Sequence, residues 1–237
     1  MVSHHKVDYA VSGSRLLHWC YNGVTLSYMK HDAIIFDVDG TLWNACPATA
    51  KGWNMALDTL GIAQQISSGD IEGVVGKPFD ECVAALFPRV AVERSVLMEM
   101  LDEYEKQVVE LEGGRLYDGV QEGIKELSKH YVIFLVSNCQ DWYLGTFLKF
   151  SGIEPYLKGF DCYGMSGVPK YQMLIDMKGR HQLQNPVYIG DTEGDAEAAE
   201  KSGIDFQHVG YGFGENISHP SFATFPELVS HFSEEVA

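Results

Sequence analysis

The sequence predicts an α/β fold, a doubly wound parallel sheet that carries an inserted all-helical domain. Near-continuous apolar segments, such as "YVIFLVSN" (131–138) and "PVYIGD" (186–191), are typical of strands buried on both faces. Each is followed by a segment with helical spacing, as expected for βαβ units. By contrast, residues 47–115 contain helical patterns and no convincing strand. These three observations define the expected architecture.

The N-terminal residues 1–28 have two open interpretations. They contain "LLHWCYNGVTLSYM", in which two apolar segments flank Asn22-Gly23, and this dipeptide is a strong hairpin-turn signal. Alternatively, Met29 is the native start and the preceding residues are an appended extension. In either case we expect the core domain to begin at residue 29.

The first core strand lies in "AIIFDVDGTLW" (33–43), and three helices then predict a helical domain over 47–115. The first helix is expected over 48–60, because Trp53, Ala56, Leu57 and Leu60 recur at helical spacing and Gly61 follows. The second runs from Phe79 to Phe87, and the third from Val92 to Glu112. The end of the third helix, "EMLDEYEKQVVELE", is interpreted as a solvated amphipathic helix.

Strands and helices alternate from Tyr117 onward, so residues 29–46 and 116–237 are expected to form one core domain. The expected strands cover 131–138, 160–164, 186–191 and 204–212. The expected helices cover 141–150, a segment from Lys170, 195–203 and 226–234.

Charge and cysteine content exclude several classes of partner. The chain has 17 basic and 33 acidic residues, a formal net charge of -16, so nucleic acid and anionic membrane are unfavourable partners. The five cysteines (Cys20, Cys46, Cys82, Cys139 and Cys162) form no CxxC pair, as expected for reduced thiols. Neither a signal peptide nor a membrane span is recognisable. We therefore expect a cytoplasmic protein, monomeric or homodimeric.

Polar residues follow the predicted strands at the points where the strands end. Asp37 and Asp39 follow the first strand, and the other members of the group are Ser137, Asn138, Lys170, Asp191 and Asp195. The carboxyl ends of parallel strands meet at one edge of the sheet, so we expect these side chains to converge there. Clustered carboxylates repel one another unless a cation neutralises them, and an all-oxygen ligand set favours Mg2+. Such a site also provides the local positive charge that a phosphate substrate requires.

In this order, "DVDGT", "SN", "K" and "GDTEGD" resemble the four motifs of the haloacid dehalogenase (HAD) superfamily, over residues 30–237. The helical insert between the first two motifs is similar to the phosphoglycolate phosphatase-like and β-phosphoglucomutase-like branch. The resemblance implies a Rossmann-like core with a helical cap. It also implies a Mg2+-dependent phosphatase that acts on a small phosphorylated metabolite, such as a phosphoglycolate-like compound or a sugar phosphate.

The same resemblance implies a role for each motif residue. Asp37 would attack phosphorus, and Asp39 would protonate the leaving oxygen and then activate water. Ser137 and Lys170 would hold the phosphoryl oxygens of the substrate, with Asn138 beside them. Mg2+ would be held by the Asp37 carboxylate, the Asp39 backbone carbonyl and Asp191, with Asp195 beside them. Thr41 would bond locally near Asp39 or the substrate.

Two further positions concern the substrate and not the phosphoryl chemistry. Asn44 occupies a place near the cap hinge where relatives often have aspartate. Lys77, the charged residue in "GVVGKPF", lies in the expected specificity loop of the cap and is a candidate contact for a substrate carboxylate.

Four alternative functions fit the sequence less well. A phosphomutase of the β-phosphoglucomutase type would use the same aspartyl-phosphate but requires a sugar-binding cap. A phospho-receiver switch would be about half this length and would have no role for Asp39. A non-catalytic binding protein would not need every motif residue. Dehalogenation is disfavoured because a halide leaves without the proton that Asp39 would provide.

Overall fold

The computed structural model describes residues 20–21, 24–25, 30–214 and 218–236. In chain order the strands are β1 (Cys20–Tyr21), β2 (Val24–Thr25), β3 (Ala33–Phe36), β4 (Trp43–Asn44), β5 (Arg115–Leu116), β6 (Val132–Ser137), β7 (Leu157–Cys162), β8 (Pro186–Gly190), β9 (Asp205–Val209) and β10 (Ser221–Phe222).

The helices, again in chain order, are α1 (Cys46–Thr59), α2 (Ser68–Glu72), α3 (Phe79–Leu86), α4 (Arg94–Glu112), α5 (Val120–Leu127), α6 (Asp141–Ser151), α7 (Tyr163–Ser166), α8 (Lys170–Arg180), α9 (Glu193–Ser202) and α10 (Phe225–Glu234). A 3-10 turn covers Glu154–Tyr156.

Six strands form one parallel sheet in the order β10-β9-β8-β3-β6-β7, which confirms the predicted doubly wound fold. Strand β3 lies between β6 and β8, and its last residue, Phe36, is in register with Leu135 and Ile189. The carboxyl ends of these three central strands therefore lie side by side. The residues that follow them along the chain meet at one edge of the sheet.

The pleat of β3 divides the apolar core between the two faces of the sheet. Ile34 and Phe36 pack in a cluster with residues of α5, α6 and α10. Ala33 and Ile35 pack in a second cluster with residues of α8 and α9. All four residues of β3 are buried, so the strand is apolar without alternation, as the sequence indicated.

Helices α1 to α4 enclose a third apolar cluster that includes Trp53, Leu57, Val83, Phe87 and Leu101. These helices occupy the interval in which the sequence predicted helices. The chain leaves the sheet through β4 and returns through β5, and these two strands pair antiparallel. No strand was predicted between Asp37 and Tyr131, and this expectation was wrong. Each of the two strands is only two residues long, too short for a recognisable pattern.

Several other element bounds differ from the predictions. The strand predicted over 160–164 is β7, which ends at Cys162, and the next residues form the short helix α7. Helix α9 begins two residues before the predicted start, because Thr192 forms a capping box with Asp195. Helices α2 and α5 were not predicted at all.

Near the N-terminus, β1 pairs antiparallel with β2, with Cys20 opposite Thr25. The turn residues Asn22 and Gly23 lie outside the described residues, as does most of segment 1–28. Across the described parts of the chain, no helix has both the length and the apolar character that a membrane span requires.

Helices α1 and α4 approach each other closely at Gly52. A β-carbon at this position would lie 2.7 Å from the Glu105 Cα and 2.7 Å from the Tyr104 carbonyl oxygen. Both atoms belong to backbone, which cannot move aside as a flexible side chain can. Glycine at position 52 therefore sets the spacing of the two helices.

We expect Gly52→Ala to lower the free energy of unfolding by about 1–3 kcal/mol, because the new methyl group overpacks this contact. Urea or thermal unfolding measures the change. The matched control is Gly145→Ala in α6, where a β-carbon meets nothing within 4 Å. That substitution should instead stabilise by about 0.5–1 kcal/mol through helix propensity. Equal effects of the two substitutions would contradict the close approach.

Candidate active site

Lys170 links two acidic residues at the carboxyl edge of the sheet. It is the first residue of α8, and its Nζ lies 3.0 Å from the Asp37 Oδ1 and 2.6 Å from the Asp195 Oδ1. All three side chains are buried. The structure therefore brings together three of the residues that the motifs predicted.

Burial and the neighbouring opposite charges shift the pKa values of Asp37, Lys170 and Asp195 in opposite directions. Burial raises the pKa of Asp37 well above its usual value, although the Lys170 ammonium opposes the shift. Burial alone would lower the pKa of Lys170, but the Asp195 and Asp37 carboxylates outweigh it and raise that pKa. Burial also disfavours ionised Asp195, yet Lys170 and hydrogen bonds from Thr192 hold its pKa below the usual range. Lys170 is therefore charged and Asp195 is its ionised partner.

Asp191 follows β8 and is fully buried beside the same cluster. Its Oδ1 accepts a hydrogen bond from Thr41 Oγ1 at 3.3 Å, and its Oδ2 accepts one from the Phe213 backbone N–H at 2.7 Å. Thr41 was expected to bond near Asp39, but its hydroxyl reaches Asp191 instead. Burial and the nearby Asp195 raise the pKa of Asp191 to about 7.

Gly40 allows Asp191 to lie close to the turn that follows Asp39, through its backbone conformation and through its lack of a side chain. Its φ of 77° lies in the left-handed region that glycine adopts readily, and a β-carbon there would lie 2.0 Å from the Asp191 Oδ2. Any side chain at position 40 would therefore displace Asp191. This explains why glycine follows the two acids in "DVDGT".

Carboxylate oxygens of Asp37, Asp191 and Asp195 lie within 4.8 Å of one another, close enough to share one metal ion. The Asp37 Oδ2 is buried and has no hydrogen-bond partner among the described residues. Three carboxylates beside one ammonium leave an excess of negative charge, which a hard divalent cation would neutralise. The donor set thus fits a divalent metal. Both oxygens of Asp195 accept hydrogen bonds, from Lys170, Tyr188 and Thr192, and both oxygens of Asp191 accept them from Thr41 and Phe213. The Asp37 Oδ2 is therefore the carboxylate oxygen of this cluster that remains open to a metal.

Asp39 is held apart from this cluster by a tyrosine. The Tyr143 hydroxyl donates to the Asp39 Oδ1 at 2.5 Å, and both residues are buried. Burial raises the pKa of Asp39 to about 6, although the hydrogen bond from Tyr143 opposes the shift. The two acids of "DVDGT" therefore differ in environment, since Asp37 pairs with Lys170 and Asp39 with Tyr143. Nothing in the sequence singled out Tyr143, which is one of several aromatic residues in α6.

Ser137 and Asn138 lie at the end of β6, as predicted. Ser137 is buried, and its Oγ accepts a hydrogen bond from the Cys139 backbone N–H at 3.3 Å. The Asn138 Nδ2 donates to the carbonyl oxygen of Gly76 at 2.8 Å, in the segment between α2 and α3. Asn138 therefore connects the sheet edge to the helical part of the chain. Its Oδ1 is buried and has no partner among the described residues.

A cavity lies between the sheet edge and helices α1 to α4. Its sheet side includes Asp37, Asp39, Ser137, Asn138 and Tyr143. Its helical side is mainly apolar and includes Trp53, Ile71, Val74, Phe79, Glu105 and the solvent-exposed Lys77. Residues of the first two motifs and of the helical domain therefore line one cavity, whereas Lys170, Asp191 and Asp195 are not among its lining residues.

Asn44 lies where the chain enters α1. Its Oδ1 accepts a hydrogen bond from the Cys46 backbone N–H at 2.9 Å, and its Nδ2 lies 3.5 Å from the Glu72 Oε1. Asn44 thus joins the start of α1 to α2. It does not line the cavity.

Glu105 corrects the interpretation of α4 as a solvated helix. The helix exposes many charged residues, but Glu105 is only 5% exposed and lines the cavity. Its Oε1 accepts a hydrogen bond from Thr49 Oγ1 at 3.0 Å, and its Oε2 accepts one from Trp53 Nε1 at 2.8 Å. The sequence signal was available, because Glu105 lies four residues after Leu101 and three before Val108, on the apolar face.

Comparison with known proteins is consistent with this geometry. A family model described as "Haloacid dehalogenase-like hydrolase" matches residues 34–209. The phosphoglycolate phosphatase of Vibrio parahaemolyticus is 26% identical over 219 residues, which cover 86% of this chain and 93% of that protein. A 5'-nucleotidase of Pseudomonas aeruginosa is 22% identical over 194 residues, which cover 78% and 86%. A haloacid dehalogenase-like hydrolase structure from Streptococcus pneumoniae has a TM-score of 0.76 at 20% identity, covering 86% of this chain and all of that one.

We expect Tyr143→Phe to raise the pKa of Asp39 by about 1 to 2, because the variant loses a hydrogen bond to a charged group. Titration of 13C-labelled aspartate carboxyls by NMR measures the shift, and Asp39→Asn assigns the resonance. The phenylalanine ring retains the packing against Trp43, whose ring centroid lies 5.6 Å from that of Tyr143. The control is Tyr171→Phe on the outer face of α8. If the pKa of Asp39 were unchanged in Tyr143→Phe, Tyr143 would not be the hydrogen-bond donor that stabilises the Asp39 carboxylate.

Proposed function

The chain belongs to the haloacid dehalogenase-like hydrolase family, in its phosphoglycolate phosphatase-like branch, and we propose that it hydrolyses a small phosphate monoester through an aspartyl-phosphate on Asp37. One observation carries the proposal. Asp37 is buried at the carboxyl edge of the sheet, where Lys170 holds its Oδ1 and its Oδ2 has no hydrogen-bond partner among the described residues.

In the first step, the Asp37 carboxylate forms a bond to phosphorus as the bond between phosphorus and the ester oxygen breaks. The departing oxygen is strongly basic if the alcohol is aliphatic, and it requires a proton. Asp39 lines the same cavity, and a pKa near 6 makes it a suitable proton donor close to neutral pH. The alcohol then leaves with that proton.

In the second step, water attacks the phosphorus of the aspartyl-phosphate. Asp39, now ionised, accepts a proton from this water, and phosphate departs from the restored Asp37 carboxylate. Tyr143 supports this step, because its hydroxyl donates to the ionised Asp39. Asp39 therefore donates a proton in the first step and recovers one in the second.

The remaining motif residues bind and orient the phosphoryl group in this proposal. Lys170 provides positive charge, and Ser137 and Asn138 provide polar atoms at the same edge. The Thr41 hydroxyl is engaged with Asp191, so Thr41 acts by holding that carboxylate. Lys77 lies at the helical side of the cavity and is the proposed contact for an anionic group at its mouth.

Mg2+ is the proposed metal, held by Asp37 and Asp191, with the Asp39 backbone carbonyl as a third donor and Asp195 beside them. When bound, it would screen the approach of the phosphoryl group to the anionic Asp37. The support is the all-oxygen donor set and the excess of carboxylates over ammonium groups.

We further propose the division into a core domain (29–46 and 116–237) and a cap domain (47–115). The separate apolar cluster of α1 to α4 and the pairing of β4 with β5 at its base support this division.

The substrate is a small phosphorylated metabolite, as the names of the relatives suggest for those proteins. A cytoplasmic location is supported by four buried cysteines that form no disulfide (Cys46, Cys82, Cys139 and Cys162).

We expect EDTA to abolish hydrolysis of p-nitrophenyl phosphate and Mg2+ to restore it, whereas Ca2+ supports it poorly because its coordination is larger and looser. Mg2+ should also raise the melting temperature, since it binds the folded carboxylate cluster. Asp191→Asn should lose both effects. The control, Asp176→Asn on the exposed face of α8, should retain both. Full activity in EDTA would contradict the metal assignment.

A further inference from the structure

Glu105 is a buried carboxylate in the cavity that the proposed reaction does not use. It lies on α4, on the opposite side of the cavity from the sheet edge. Its two oxygens accept hydrogen bonds from Thr49 and Trp53, both on α1, and the close packing at Gly52 brings the two helices together. Two hydrogen bonds and the close approach of the helices at Gly52 therefore fix the position of the Glu105 carboxylate.

The surroundings of Glu105 leave its charge uncompensated. Its hydrogen-bond donors are neutral, and no Lys, Arg or His of the described ranges lies within 4.0 Å of its carboxylate. Burial raises the pKa of Glu105 to about 7. The hydrogen bonds from Trp53 and Thr49 lower this pKa, whereas the nearby Asp102 and Asp39 carboxylates raise it further. A buried carboxylate without a counter-charge is costly unless a ligand donates to it.

Glu105 lines the same cavity as Asp39, the proposed proton donor to the departing oxygen. Burial is the main cause of the raised pKa of Glu105, and the Asp39 carboxylate contributes to it as a nearby negative charge. The thiols of Cys46 and Cys82 also line the cavity, and both interact with Asp39 and Glu105. The space between Asp39 and Glu105 is therefore where the alcohol part of a substrate would lie.

Apart from Thr49 and Lys77, the rest of this wall is mainly apolar, with Trp53, Ile71, Val74 and Phe79. An alcohol part that carries a carboxylate would bring a second negative charge to Glu105 in a place with little water. An alcohol part that carries a hydroxyl or ammonium group would instead donate a hydrogen bond to it.

We propose that Glu105 selects the leaving group, so that the substrates are phosphate monoesters whose alcohol part bears a hydrogen-bond donor next to the reacting oxygen and no carboxylate. This inference rests on the proposed phosphatase function and narrows its substrate class to polyol-type or amino-alcohol-type phosphates. Lys77 supports the alternative that the substrate carries a carboxylate, because Lys77 could bind that group at the mouth of the cavity. Glu105 is the stronger determinant, since it is buried and held by two hydrogen bonds whereas Lys77 is exposed.

The test compares four esters that differ only at the end of a two-carbon alcohol: 2-hydroxyethyl, 2-aminoethyl, ethyl and carboxymethyl phosphate (phosphoglycolate). The quantity measured is kcat/KM with Mg2+ at about pH 8, above the pKa of about 7 that Glu105 has in this site. The wild-type protein should prefer the hydroxyethyl and aminoethyl esters to the ethyl ester, with phosphoglycolate last. Comparison of the hydroxyethyl and aminoethyl esters distinguishes the two donor types.

Glu105→Gln keeps the shape of the side chain and removes its charge. We expect the ratio of kcat/KM for the hydroxyethyl ester over phosphoglycolate to fall about tenfold or more in this variant, as for loss of a charged hydrogen bond. A variant that merely folds less well would lower all rates in proportion and leave the ratio unchanged. The matched control is Glu103→Gln, which removes an exposed charge from the same helix and should retain the wild-type ratio.

A wild-type preference for phosphoglycolate, or a ratio unchanged in Glu105→Gln, would overturn the inference while leaving the phosphatase function intact. Lys77→Ala provides a second test that does not depend on the folding of the Glu105 variant. Because Lys77 is the proposed contact for an anionic group, the readout is the ratio of the two uncharged leaving groups: Lys77→Ala should keep the preference for the hydroxyethyl over the ethyl ester. Loss of that preference would assign the selection to Lys77 instead. If no ester were hydrolysed, including p-nitrophenyl phosphate, the proposed function itself would fail.

Discussion

The buried ion pairs of Lys170 with Asp37 and Asp195 are the interaction on which the rest of the site depends. Two carboxylates at the edge of a sheet would each be neutralised by protonation if no cation were near, because burial disfavours their charge. The Lys170 ammonium group lies 3.0 Å from the Asp37 carboxylate and 2.6 Å from the Asp195 carboxylate, and it stabilises their negative charge. Removal of Lys170 would leave buried, uncompensated carboxylates, which is strongly destabilising. The helix α8 is thereby tied to β3 and α9 by its first residue.

The remaining groups occupy positions that follow from this arrangement. Strand register brings the ends of β3, β6 and β8 together, and Gly40 gives Asp191 the space to face Asp37. Tyr143 keeps Asp39 in a separate environment, so that two acids one residue apart have different partners. The helical domain closes the space over them through contacts such as the one between Asn138 and Gly76. Chemistry and selectivity can thus be divided between the sheet edge and the helices.

Much of the sheet edge was predictable from sequence, because apolar strands followed by polar residues specify both the fold and the point at which side chains converge. Tyr143 was not predictable, since its role depends on how α6 packs against the loop that carries Asp39. Glu105 was misassigned because the helix around it is rich in charge, although its spacing from Leu101 and Val108 places it on the apolar face. The hydrogen bonds that hold it depend on the packing of α4 on α1. The strands β4 and β5 were missed because two residues carry no periodicity. For Tyr143 and for the two short strands, the missing information was tertiary contact.

The central claim is that Asp37 becomes phosphorylated during turnover, and chemical trapping tests it most directly. Asp39→Asn slows the second step, because the amide cannot accept a proton from water, so the intermediate should accumulate with p-nitrophenyl phosphate. Acid quenching, borohydride reduction and peptide mapping by mass spectrometry should then find homoserine at position 37, the product expected from an aspartyl-phosphate. Homoserine at a different position, or its absence despite a burst of p-nitrophenol, would contradict the account.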